Sequence, residues 1–70
     1  MRAAKQSKIF TAAMKERNLT LSELAHAADI DAGTISRYRT GARAIGVANA
    51  EKLAPILGLT VTMLLYGREA

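Results

Sequence analysis

The chain of 70 residues contains no cysteine, one histidine, two tyrosines and one phenylalanine, which excludes a disulfide framework and a metal cluster and favours one small helical domain with an aliphatic core. Its formal net charge of +4 favours a polyanionic partner, and a surface that is basic only for solubility is the alternative. No apolar run approaches the roughly 20 residues that cross a bilayer, and no signal-peptide core is present, so we expect a soluble intracellular protein.

The N-terminal segment is basic and precedes the first predicted helix. Residues 1–5 are expected to form a flexible arm, which either reaches phosphates or a minor groove or is a solvated leader. A helix is predicted from about Lys5 to Arg17, because these residues favour helix and supply an apolar inner face. That face holds Phe10 and Met14, and Asn18 is expected to end the helix.

The stretch from Thr20 to Arg43 predicts two short helices joined by a tight turn. Thr20 and Glu23 have the spacing of a capping box, in which each side chain accepts a hydrogen bond from an otherwise unpaired N–H at a helix start. Apolar residues then recur at i, i+3, i+4 and i+7, which places them on one face. They are Leu21, Leu24, Ala25 and Ala28.

The second helix of this pair is predicted to begin after Asp31, whose side chain is suited to cap it. Ile35 and Tyr38 lie on its inward side. Gly41 ends it, because glycine adopts the left-handed conformation that a helix C-terminus requires. The opposite side carries small, polar and basic residues. They are Gly33, Ser36, Arg37 and Thr40.

These two helices carry a family resemblance. Residues 19–43, LTLSELAHAADIDAGTISRYRTGAR, resemble the helix-turn-helix of phage Cro and repressor proteins and their bacterial relatives. The matching positions are Leu24, Ala25, Ile30, the run 34–37 and the exit 41–43. The resemblance implies one all-α, five-helix lambda-repressor-like domain over residues 1–70, with its motif at about residues 20–43. Asp29 stands where the family usually has glycine, so the turn there is expected to be strained or differently shaped.

Two more positions depart from the family, whose members often hold there an arginine and a glutamate that pair inside the domain. Met14 and Arg39 occupy these positions in this chain. Exchanging both partners leaves no buried charge unpaired, so the double change is close to neutral. Arg39 is then expected either to pair with another acidic side chain or to reach DNA.

A fourth helix is predicted over residues 47–57, where apolar side chains recur at spacings of three and four. Pro55 lies inside this segment. Because proline lacks a backbone donor and its ring clashes with the preceding turn, we expect a kink or an early end near Ala54. Gly58 is expected to terminate the segment.

A short final helix is expected after Thr60, with Leu64 facing inward. Leu59, Met63 and Tyr66 are candidates for a contact between two copies of the chain, and completing the core of one copy is an equal alternative. Dimerisation is inferred from mechanism, because proteins of this class double their contacts by two-fold symmetry and read half-sites about 34 Å apart.

The outward side of the second motif helix is the predicted DNA-reading surface, because an α-helix fits the major groove, where each base pair presents a distinct pattern of donors and acceptors. Arg37 is long enough to donate to guanine O6 and N7. The candidates for base readout are Ala32, Gly33, Thr34, Ser36 and Arg37. The candidates for phosphate contact are Thr20, Arg39, Thr40 and Arg43.

No enzyme activity is expected, since the spacings indicate no catalytic triad, no paired carboxylates and no phosphate-binding glycine loop. His26 is expected to be an ordinary surface histidine, and no metal, cofactor or small-molecule ligand is implied. The resemblance implies a Cro-like repressor of the bacterial cytoplasm, from a phage or a bacterium, that occupies a double-stranded DNA operator as a homodimer. Two alternatives stay open, an antitoxin that represses its own operon and a protein-interaction module without DNA contacts.

Overall fold

The first helix begins earlier than expected. The computed structural model describes residues 2–67, with side chains from residue 3, and its first helix is α1 (Arg2–Glu16). The helix thus begins before the predicted start near Lys5, and residues 2–5 of the expected arm are helical, while residue 1 lies outside the described range. The cause is tertiary packing, since the start of α1 lies against Gly41 and Gly67. Asn18 adopts a left-handed φ of 56° just after the helix, which confirms it as the end signal.

Four further helices follow, and the described residues contain no strand. They are α2 (Leu21–Ala28), α3 (Ala32–Thr40), α4 (Val47–Leu57) and α5 (Val61–Tyr66). The predicted all-α, five-helix fold is confirmed. Within residues 2–67, no helix combines the length and the apolar character that a membrane span requires.

The expected early end of α4 is wrong, because the helix continues through Pro55 to Leu57. Pro55 is exposed and lies in the last turn. Its missing N–H removes one intrahelical hydrogen bond, but only near the C-terminus, where the regular i to i−4 pattern ends. The N–H of Leu59 donates to the carbonyl of Ala54 at 2.9 Å, and the N–H of Gly58 donates to the carbonyl of Pro55 at 3.4 Å. These two bonds close the helix.

The capping predictions are confirmed. The N–H of Glu23 donates to Thr20 Oγ1 at 3.1 Å, and the N–H of Thr20 donates to Glu23 Oε1 at 2.8 Å, which completes the capping box of α2. Asp31 Oδ2 accepts from the N–H of Thr34 at 3.2 Å at the start of α3. Thr60 Oγ1 caps α5. Each bond satisfies a backbone donor that a helix start leaves unpaired.

The turn between α2 and α3 keeps the shape that glycine usually provides. Asp29 lies at φ 55° and ψ 48°, in the left-handed region, and its N–H closes α2 on the carbonyl of His26. Left-handed backbone is unfavourable for a residue with a Cβ, although aspartate tolerates it better than most. The aspartate therefore carries strain in a turn of ordinary form.

The core lies where α1 and α4 meet the other helices. α1 packs against α3, α4 and α5, while α2 packs against α3 and α4, and α4 packs against α5. Fourteen apolar side chains are buried among the described residues. They are Phe10, Met14, Leu24, Ala25, Ala28, Ile35, Tyr38, Ile45, Ala50, Leu53, Ala54, Leu57, Leu64 and Leu65. Met14 is thus a core residue, and no charge is buried in its place.

Candidate nucleic-acid interface

The helix α3 presents one continuous surface to solvent. Only Ile35 and Tyr38 are buried in it, as their spacing predicted. The five candidates for base readout all have solvent-accessible side chains or backbone on the remaining surface: Ala32, Gly33 and Arg37 are exposed, and Thr34 and Ser36 are half-buried. A helix held only by its inward side leaves this outward surface free to enter a groove.

Side chains of α1 and α4 fix the position of α3. The ring of Tyr38 meets that of Phe10 edge to face, with centroids 6.2 Å apart, and its hydroxyl oxygen accepts from Asn49 Nδ2 at 2.7 Å. At the end of the helix, Ser7 Oγ and Thr11 Oγ1 donate to the carbonyl of Arg39 at 2.6 and 3.3 Å. These contacts hold the outward surface of α3 in one orientation.

The sequence analysis did not find these supporting residues. Ser7 and Thr11 lie one turn apart on α1 and Asn49 lies on α4, and helical spacing indicates only which side of a helix they occupy. Their partners are backbone carbonyls or a hydroxyl on another helix, which no local pattern identifies.

The chain folds back on itself after α3. The carbonyl of Arg37 accepts from the N–H of Ala42 at 2.9 Å and from the N–H of Arg43 at 3.3 Å. This brings the start of the Arg43 side chain beside the end of α3. Thr40 Oγ1 also donates to this carbonyl, at 3.3 Å, so its hydroxyl has to turn before it can donate to a phosphate.

The other candidates for phosphate contact are exposed. Thr20 uses its oxygen to accept from Glu23, which leaves its hydroxyl hydrogen available for donation. Arg39 and Arg43 have exposed side chains. Within the described chain, no acidic group pairs with the Arg39 guanidinium, so the expected alternative of an internal ion pair is not realised there. Arg39 keeps its charge at the surface, at the end of α3.

The candidates for self-contact separate into two groups. Leu59 and Met63 line a groove of about 390 Å³ between α1 and the α4–α5 corner, together with apolar residues of α1 such as Ile9 and Ala12. Tyr66 is not among the groove's lining residues and is 48% exposed. The contribution of α1 was missed, because Ile9 and Ala12 lie outside the inner face that the pattern around Phe10 defined.

Within residues 2–67, histidine, cysteine and acidic side chains nowhere gather in a group of three that could hold a metal ion. One acidic side chain, Asp31, caps the start of α3 beside the reading surface. The surface therefore combines exposed arginines, small residues and hydroxyls.

A comparison with protein families identifies the family of this chain. The family model described as Helix-turn-helix matches residues 11–64, from the middle of α1 into α5. The chain belongs to the Cro/C1-type helix-turn-helix family. As a helix-turn-helix protein it is a DNA-binding regulator, in which α2 and α3 form the motif. Searches among curated proteins and among solved structures gave no match.

Proposed function

We propose that this helix-turn-helix protein is a sequence-specific, Cro-like transcriptional repressor that occupies a double-stranded DNA operator as a homodimer in the bacterial cytoplasm. The observation that carries the proposal is the outward surface of α3, where Arg37 is exposed between small and hydroxyl-bearing residues on a rigidly held helix. Guanidinium groups donate to guanine O6 and N7 with bidentate geometry, which distinguishes G·C pairs in the major groove.

The proposed roles divide along the chain. Ala32, Gly33, Thr34, Ser36 and Arg37 face the base edges, where small side chains let the backbone of α3 approach the groove closely. Thr20, Arg39, Thr40 and Arg43 contact phosphates and set the register on the duplex, without reading sequence. The hydrogen bond from the N–H of Arg43 to the carbonyl of Arg37 fixes the start of the Arg43 side chain relative to the reading residue.

A second copy supplies the remaining specificity. The longest extent of the molecule is 28 Å between Cα atoms, which is shorter than the spacing of about 34 Å between successive major-groove half-sites. One copy therefore reads one half-site. The groove that contains Leu59 and Met63 is the proposed place of self-contact.

The same groove favours a second candidate function, an antitoxin that represses its own operon and holds a toxin segment in this groove. The mass of the purified chain separates the two. A dimer at micromolar concentration, free or on DNA, supports the repressor with self-contact, whereas a monomer in both states supports a groove reserved for another protein.

The test of DNA reading begins with selection of bound duplexes from random DNA, followed by affinity measurements across salt. We expect log affinity to fall linearly with log salt. Arg37→Ala should remove about 1–3 kcal/mol of discrimination at one base pair. Arg43→Ala should weaken all duplexes about equally and reduce the salt slope by about 1. Lys52→Ala, which removes the same charge from α4 outside the proposed interface, serves as the control.

An unchanged base preference in Arg37→Ala would contradict the readout assignment. A loss confined to one base pair in Arg43→Ala would contradict its positioning role. If the wild-type chain shows no preference among duplexes, the proposal of sequence-specific binding is wrong.

A further inference from the structure

Arg37 does not point straight out from α3. Side chains on a helix lean toward its N-terminus, so a long side chain covers the turn that precedes it. A methyl group placed on Gly33 would lie 3.7 Å from Arg37 Nη1 and 2.9 Å from Asp31 Oδ2. The guanidinium and the carboxylate therefore flank the same space, which exists because residue 33 has no side chain.

Asp31 has capacity beyond its capping role. Its Oδ2 accepts from the N–H of Thr34 at 3.2 Å, while its other oxygen makes no hydrogen bond within the described chain. The side chain is exposed and charged at the tip of the helix that is proposed to enter the groove. A carboxylate accepts hydrogen bonds at both oxygens, so one remains for a guanidinium N–H.

We propose that Asp31 is a specificity-determining residue, which orients the Arg37 guanidinium across Gly33 so that it donates to guanine rather than to phosphate. The inference rests on the proposed function. An arginine that swings freely in a groove is attracted by the phosphates on both sides, and such contacts carry no sequence information. Asp31 and Arg37 form no hydrogen bond or ion pair within the described chain, so the guanidinium has to close on the carboxylate when α3 enters the groove. The carboxylate then accepts one guanidinium N–H and leaves a pair of donors directed along the groove. It also repels phosphate, which weakens binding to unrelated DNA.

Gly33 completes this arrangement. With any larger residue at position 33, the side chain would start 2.9 Å from Asp31 Oδ2, a separation at which the carboxylate has to move. A methyl group there would lie in ordinary contact with Arg37 Nη1, at 3.7 Å, so the group that is displaced is the carboxylate. The small residue therefore serves the orientation of Arg37 as well as close approach to DNA.

The experiment compares Asp31→Asn with the wild type on two duplexes. The preferred duplex is the sequence obtained by selection. In the replaced duplex, another base stands at the guanine whose recognition is lost in Arg37→Ala. Asparagine caps a helix as well as aspartate, so the variant removes the charge and keeps the cap. We expect Asp31→Asn to bind the replaced duplex more tightly than the wild type does. The ratio of affinity for the preferred duplex to affinity for the replaced duplex should fall roughly fivefold or more, which corresponds to the lower end of the discrimination that a bidentate contact provides.

Two matched variants complete the design. Asp29→Asn removes the same charge two residues earlier and tolerates the left-handed conformation, and it should raise affinity for both duplexes by the same factor. In an Arg37→Ala background, Asp31→Asn should also raise both affinities equally and leave their ratio unchanged. Circular dichroism and thermal melting verify folding, and Asp31→Ser, a neutral cap, replaces Asp31→Asn if that variant does not fold.

The outcomes are distinct. If Asp31→Asn keeps the wild-type affinity ratio while Arg37→Ala removes it, the inference is wrong and the proposed function stands. The same holds if Asp29→Asn lowers the ratio as much as Asp31→Asn does, because the effect is then one of general charge. If the wild type has no sequence preference at all, both the inference about Asp31 and the proposed sequence-specific function are wrong.

Discussion

At the scale of single residues, Asp29 is one of two residues other than glycine with left-handed backbone in the described part of the chain, the other being Asn18. Its φ of 55° belongs to a region that glycine enters freely and that costs residues with a Cβ free energy. The turn itself is needed, because it sets the position of α3 relative to α2. The strain is therefore local and removable by one substitution.

Asp29→Gly is expected to raise the free energy of unfolding by about 0.5–1 kcal/mol, since glycine adopts the left-handed conformation of this exposed site without the strain that a Cβ causes. Urea denaturation followed by circular dichroism measures the change. The control is Ala27→Gly, in an exposed helical position of α2 outside the groove, which should lose about 1 kcal/mol because glycine is a poor helix former. A destabilising effect of Asp29→Gly would show that the aspartate side chain contributes more than its backbone costs.

At the scale of elements, one buried polar side chain joins three parts of the fold. Gln6 of α1 is 1% exposed, and its Oε1 accepts from the N–H of Ile45 at 2.7 Å. Its Nε2 donates to the carbonyl of Leu65 at 3.0 Å and to that of Ile45 at 3.5 Å. Because these backbone groups are buried, they have no water to replace the amide. Gln6 thus ties the loop before α4 and the helix α5 to α1.

Gln6→Met, which keeps the length of the side chain, is expected to lower the free energy of unfolding by about 1–3 kcal/mol, because it leaves buried backbone groups without partners. Thermal or urea unfolding measures the loss. Lys8→Met makes the same replacement at an exposed site of the same helix and should stay within about 0.5 kcal/mol of the wild type. Equal effects of the two variants would mean that the hydrogen bonds of Gln6 contribute nothing to stability.

At the scale of the whole molecule, the reading surface and the groove differ in polarity and in charge. The surface of α3 is basic and polar, whereas the groove is lined by apolar residues and has Glu16 and Arg17 among them. In a two-fold contact residue i of one copy meets residue j of the other and the reverse, so an axis that passes between Glu16 and Arg17 brings the acidic residue of one copy opposite the basic residue of the other. The proposed self-contact is therefore compatible in both polarity and charge.

Met63→Lys is expected to convert a dimer to a monomer, because it introduces an unpaired charge into an apolar contact. Sedimentation equilibrium measures the mass, and operator affinity should fall with it. Val47→Lys is the control, since Val47 is an exposed apolar residue outside the groove. This variant should have the same oligomeric state as the wild type. A wild type that is monomeric both free and on DNA, or a dimeric Met63→Lys, would contradict the proposed self-contact.

Local sequence determined most of the fold. The spans of α2, α3 and the later helices followed from apolar periodicity, from the caps at Thr20, Asp31 and Thr60, and from Gly41, because each of these signals acts within a few residues of the structure it produces. The outward surface of α3, with Arg37 exposed on it, followed from the same spacing. Such features need no knowledge of distant parts of the chain.

The tertiary structure decided what depends on residues far apart in sequence. Residues 2–5 are helical because the start of α1 packs against Gly41 and Gly67, and Gln6 is buried because Ile45 and Leu65 present backbone groups to it. The groove joins residues of α1 to Leu59 and Met63, which lie more than forty positions apart along the chain. Contacts of this kind arise only when helices pack, so the sequence indicated which side of each helix is apolar while packing determined which sides meet.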